Sequence, residues 1–130
     1  MMNRFRQRKL EASLRMAEKR KREDAAPRLA QVVPRLQSLK LELEEQRLGA
    51  TISESVHVRR VTVAHAPALF EFACLERQCV DGGHDLTETV LKALEAGQEE
   101  FSGTSHCHGK VAGSDCLRVL AYRAVATYEG

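Results

Sequence analysis

Four cysteines, arranged as two close pairs, constrain this chain more than anything else in it. Cys74 and Cys79 stand in CLERQC, and Cys107 and Cys116 in CHGKVAGSDC. A tetrahedral structural zinc takes two thiolates from each of two local turns, and the chain between the turns folds back to bring the pairs together. The pattern therefore predicts one structural Zn2+ on Cys74, Cys79, Cys107 and Cys116. His84 and His108 are alternative ligands, because His84 is close in sequence to Cys79 and His108 adjoins Cys107. A closed four-ligand site leaves no position open for chemistry. Four thiols also permit disulfides or plain buried thiols, and in a reducing compartment zinc is the favoured outcome.

The compartment is read from the ends and the hydropathy. No apolar run approaches the roughly 20 residues that cross a bilayer. The N-terminal MMNRFRQRKLEASLRMAEKRKRED lacks the apolar stretch of a secretory signal and carries too many acids for a mitochondrial one. A cytoplasmic protein is expected.

Charge is unevenly spread. Residues 1–24 carry nine Lys or Arg (Arg4, Arg6, Arg8, Lys9, Arg15, Lys19, Arg20, Lys21, Arg22) against four acids, a local charge of +5, whereas residues 51–130 stand at −4. A basic arm on an acidic body suits contact with something anionic. Residues 3–24 read as a helix, rich in Ala, Glu, Lys, Arg, Met and Leu, with Leu10, Leu14 and Ala17 as one thin apolar stripe.

Pro27 and Pro34 mark a hinge near 25–34. A second helix is expected over 34–48, starting at Pro34 and ending before Gly49. Leu29, Val32, Leu36, Leu39 and Leu43 follow alternating spacings of three and four, which fits either a short coiled-coil seam with a second copy or packing on the chain's own body. The domain organisation predicted is a helical arm over 1–50 and a small α+β domain over 51–130.

In that domain VHVRRVTV alternates with a slip at Arg59–Arg60, read as a bulged strand. LFEFAC is read as a second strand, hairpin-connected to the first, with Cys74 at its end. Asp85 is the expected N-cap of a helix whose buried face is Leu86, Val90, Leu91 and Leu94 and whose end is a left-handed Gly97. Phe101 is an anchor, and LRVLAYRAVATY is a closing strand. The sum is a three-stranded antiparallel sheet with one helix across it.

Over residues 68–128 the order strand, cysteine turn, helix, cysteine loop, strand resembles the zinc-ribbon and treble-clef class of small zinc domains. The GGHDLT segment between the cysteine pairs is also similar to that of small uncharacterised bacterial four-cysteine proteins. These resemblances imply an architecture and bring no activity.

No phosphate-binding loop, GxSxG elbow, dinucleotide fingerprint or HExxH spacing is present, so no enzyme is expected. The reading is a zinc-stabilised adaptor that docks through its helical arm on a protein partner or a second copy. The alternative is an RNA- or DNA-binding accessory factor using the nine cations of the same arm. Neither a membrane nor a small-molecule substrate is implied.

Overall fold

The computed structural model describes residues 4–47, 55–76 and 78–129. In chain order the elements are α1 (Arg4–Ala25), α2 (Leu29–Val32), β1 (Leu36–Arg47), β2 (Ser55–Val61), β3 (Glu71–Phe72), β4 (His84–Asp85), α3 (Thr87–Glu95), β5 (Glu100–His106), β6 (Lys110–Val111), β7 (Ser114–Asp115) and β8 (Arg118–Tyr128). The α+β class and the N-terminal helix stand as expected.

The main correction falls on residues 34–48. From Leu36 to Arg47 the chain is a strand, not a helix. LKLELEEQ alternates strictly, so Leu39, Leu41 and Leu43 share one face with Glu45, and Lys40, Glu42 and Glu44 share the other. Leu, Lys, Glu and Gln are all good helix formers, but local propensity is weak against pairing on both edges and burial of a whole face. β1 lies inside a four-stranded antiparallel sheet of order β2-β1-β8-β5. The sheet has four strands instead of three because β1 and β5 join it while LFEFAC does not. β3 is only two residues long and pairs with β4 in a separate ladder.

Of the two readings of the leucine spacing, packing on the chain's own body is the one the structure has, though on a strand rather than a helix from Leu36 on. Leu29, Leu36, Leu39 and Leu43 are buried in the domain's own core, and Val32 packs at its margin. They join Leu120, Tyr122, Ala124 and Ala126 of β8 with Val90 and Leu94 of α3. Each fully buried leucine is worth about 1.5–3 kcal/mol. The second half of the expected arm thus belongs to the body, and only α1 remains outside the core. The boundary expected at 50/51 and the Gly49 stop lie outside the described residues.

β2 pairs with β1 without a slip, Lys40 opposite Arg60 and Leu41 opposite Arg59, so the expected bulge is absent. Both arginines are exposed because β2 is an edge strand, and Arg59 lies over the Phe72 ring at 6.0 Å. Asp85 sits one residue before the N-cap, which is Leu86, and its Oδ1 accepts from the Thr87 N–H at 3.0 Å. Gly97 ends α3 at φ +74°, a left-handed angle that favours glycine. No helix among the described residues is long and apolar enough to cross a membrane.

Candidate metal centre

Two short loops build the site. Cys74 and Cys79 lie in the loop after β3. Cys107 directly follows β5, and Cys116 directly follows β7, two residues before β8. Between them β6 and β7 form a tiny hairpin, Lys110 opposite Asp115, turning on Ala112 and Gly113, both at positive φ. That turn folds Cys116 back toward Cys107, where its N–H donates to the Gly109 carbonyl at 3.0 Å. The loops are joined side by side by Val80 and Lys110, whose backbones exchange hydrogen bonds of 2.8 and 3.0 Å.

The result is a compact sulfur cluster. Cys74 Sγ is 3.7 Å from Cys116 Sγ, Cys79 Sγ is 3.6 Å from Cys107 Sγ, and all four sulfurs lie within 4.8 Å of one another. A tetrahedral zinc with bonds of about 2.3 Å would set its thiolates about 3.8 Å apart. The cysteines are free thiols, and both close pairs bridge the two loops. The arrangement is compatible with a metal ion such as zinc. Among the described residues, neither His84 nor His108 is part of the cluster. His84 is buried, with Nδ1 at 3.1 Å from Ser105 Oγ, and His108 is exposed. Burial, followed by the nearby His108 and His106, holds the His84 imidazole below its ordinary pKa.

Backbone N–H groups point at two of the sulfurs. Gly83 and Gly109 donate N–H groups to Cys107 Sγ at 3.3 and 3.4 Å, and Glu76 N–H approaches Cys74 Sγ at 3.5 Å. Burial raises the Cys107 thiol, but the Gly109 and Gly83 N–H groups and the neighbouring Cys79 and Cys74 thiols outweigh it, leaving a pKa below the ordinary value. Burial pushes Cys74 well up, and raises Cys79 to about 11. In the metal-free fold these two are therefore neutral at pH 7, and a metal must displace their protons. The sign follows: affinity falls as pH falls, by more than about one decade per pH unit, since more than one proton is exchanged. Competition with a chromogenic chelator between roughly pH 5.5 and 8 measures this. A flat profile would contradict thiolate ligation.

Two residues that sequence reasoning took for a turn or a plain loop shape the cradle. A Cβ on Gly82 would clash with Cys79 Sγ and stand 2.6 Å from Cys107 Sγ, and one on Gly109 would stand 2.5 Å from Gly82 Cα and against Cys79 Sγ. Only glycine lets the two loops close on four sulfurs. Gly82→Ala and Gly109→Ala are each expected to lower zinc affinity by at least about tenfold, on the scale seen when groups supporting a metal site are altered. Gly113→Ala, with no atom within 4 Å of its added Cβ, carries only the cost of its φ of +84° and leaves affinity near wild type.

Glu45 is another residue the sequence did not flag. Buried on β1, its carboxylate accepts from the Leu75 N–H at 3.1 Å and fixes the first loop to the sheet. From the same face of the sheet the buried Arg118 pairs with Glu76 of that loop at 3.4 Å.

The nine cations divide by position. Arg15, Lys19 and Arg22 line a cleft of about 430 Å³ between α1 and the segment from Glu71 to Asp85. Arg22 forks onto the Glu71 carboxylate at 2.8–3.2 Å, and Lys19 Nζ donates to the Glu71 carbonyl at 3.3 Å. Arg6, Lys9, Arg20 and Lys21 are exposed. The side chains of Arg4 and Arg8 lie outside the described residues. Comparison with protein-family models, curated proteins and solved structures finds no match to this chain.

Proposed function

We propose that the chain is a non-enzymatic adaptor: a small α+β domain held by one structural zinc on Cys74, Cys79, Cys107 and Cys116, presenting α1 to another macromolecule. Support for zinc comes from the spacing of four free thiols, the N–H groups aimed at them and the glycine cradle. Four thiolates complete a tetrahedron, so the ion would brace the loops and offer no position to a substrate.

The observation that carries the docking role is the way α1 lies on the domain. Residues of an α-helix advance about 100° each, so Arg15, Glu18, Lys19 and Arg22 share one face, and that polar face is the one turned to the domain. Leu10, Leu14 and Ala17 lie roughly 120° around the helix. Leu10 is 48% and Leu14 55% exposed. A surface helix normally buries its apolar stripe and shows its charges to water. In α1 the stripe stays exposed, as Arg15, Glu18 and Arg22 do, and it is bordered by Arg20 and Lys21 beyond Ala17 and by Glu11 and Glu18 beside Leu14, so it is available to a partner.

Leu10→Asp with Leu14→Asp is expected to abolish capture of a protein partner from native-host lysate, with secondary structure and zinc content unchanged because neither leucine is in the core. Unchanged capture would overturn the reading. The rival use of the arm, nucleic acid, separates by salt. An affinity resting on six or more phosphate contacts falls by about 10³ or more between 50 and 200 mM salt, whereas an apolar contact persists.

A further inference from the structure

We infer that the partner of the α1 stripe is a second copy of this chain, which receives it in a groove between α2, the C-terminal end of α3 and the end of β8. The inference rests on the reading of α1 as a docking arm and names what the arm meets. The groove holds about 430 Å³. Val33 and Leu94 form its floor, and Val32 and Tyr128 stand at its sides. Its rim carries three exposed acids, Glu95, Glu99 and Glu129, against one base, Arg35, which is itself bonded to the Glu129 carbonyl at 2.7 Å.

This is the complement of the arm. The stripe of Leu10 and Leu14 has Arg6 at one end and Arg20 and Lys21 at the other, with Glu11 and Glu18 beside Leu14. It sits on an arm whose residues 1–24 carry nine bases against four acids, and the groove offers an apolar floor between carboxylates. Opposite charges around an apolar contact fix register and disfavour wrong partners. The contact is closed in cis, because Lys19 and Arg22 hold α1 on Glu71 with the stripe roughly 120° from that face. Pairing of two α1 helices through their stripes is disfavoured, since it would bring together two arms whose residues 1–24 each carry nine bases against four acids. Arm into groove avoids that, and two such contacts related by a two-fold axis close a dimer.

Sedimentation velocity of the zinc-loaded full chain, up to roughly 100 μM, tests this. The wild type should show a concentration-dependent dimer, and Leu10→Asp with Leu14→Asp should abolish it. Reversing the arm (Lys9→Glu with Lys21→Glu) or the groove (Glu95→Lys with Glu99→Lys) should weaken self-association at least about tenfold by placing like charges together. An equimolar mixture of the two reversed proteins should dimerise again, because each arm then meets a groove of opposite sign. A wild type that stays monomeric, or folded reversed variants that fail to associate when mixed, overturns the inference. If the wild type is monomeric and the two leucines still govern capture of another protein, the second copy falls and the arm's docking role stands.

Discussion

Stripping the metal with a strong chelator at neutral pH is expected to unfold the two cysteine loops, roughly residues 73–83 and 107–117, while the four-stranded sheet survives. The loops have little else to hold them. β3 with β4 and β6 with β7 are ladders of two residues each, and the main hydrophobic cluster contains none of the four cysteines. A structural zinc supplies on the order of 10 kcal/mol, more than those ladders can replace. Without it, four clustered thiols must stay protonated or repel one another. The sheet rests on different terms, with β1 and β8 in one register from Ser38–Thr127 to Arg47–Arg118 over a packed core, after a shift between Leu36 and Ser38.

Hydrogen exchange with and without metal reads both halves of the expectation. Amides of Cys79, Gly83, Gly109 and Cys116 should lose protection, and those of Leu41 and Ala124 should keep it. Elemental analysis should find close to one zinc per chain, and Cys107→Ser should lower affinity at least about a hundredfold, since the thiolate lost is the one with two N–H donors. Loops that keep their protection in chelator would remove zinc from the account.

The division between what sequence reveals and what it hides is a division between local and distant causes. The coming together of the cysteine pairs, the left-handed Gly97 and the closing strand β8 are signalled by local patterns, and the structure has all three. Gly82 and Gly109 carry their meaning only in space: each is confined by a sulfur and by the other, 27 positions away. The pose of α1 is hidden for the same reason. Nothing local says which face meets the domain; Glu71 on the short β3 captures Arg22 and Lys19 and turns their face inward, with the leucine stripe roughly 120° away.

Residues 36–47 show the hardest case, in which two periods compete within one string. Read with a heptad, Leu36, Leu39 and Leu43 share a seam and Leu41, about 200° from Leu39, points to water. Read with a period of two, Leu39, Leu41 and Leu43 share the core. The choice rests on Leu41, which has 0% exposure and sits between Arg59 of β2 and Ala124 of β8. Leu41→Ala is therefore expected to cost about 2–5 kcal/mol in urea denaturation of the zinc-loaded protein, the range for emptying a fully packed leucine site. Leu41→Glu should cost more than Leu41→Ala, because it forces a carboxylate into a fully packed site, and pairing with the exposed Arg59 opposite it returns less than desolvating the charge takes. Lys40→Ala, on the other face, loses only an exposed ion pair with Glu42 at 3.5 Å and should change stability by less than about 1 kcal/mol. A helix would reverse the order: Leu41→Ala close to neutral, with Leu36→Ala and Leu39→Ala carrying the whole cost. The strand makes the Leu41 substitution one of the most damaging in the chain, since a cavity at the centre of the sheet is bordered on both sides by paired strands that cannot collapse into it.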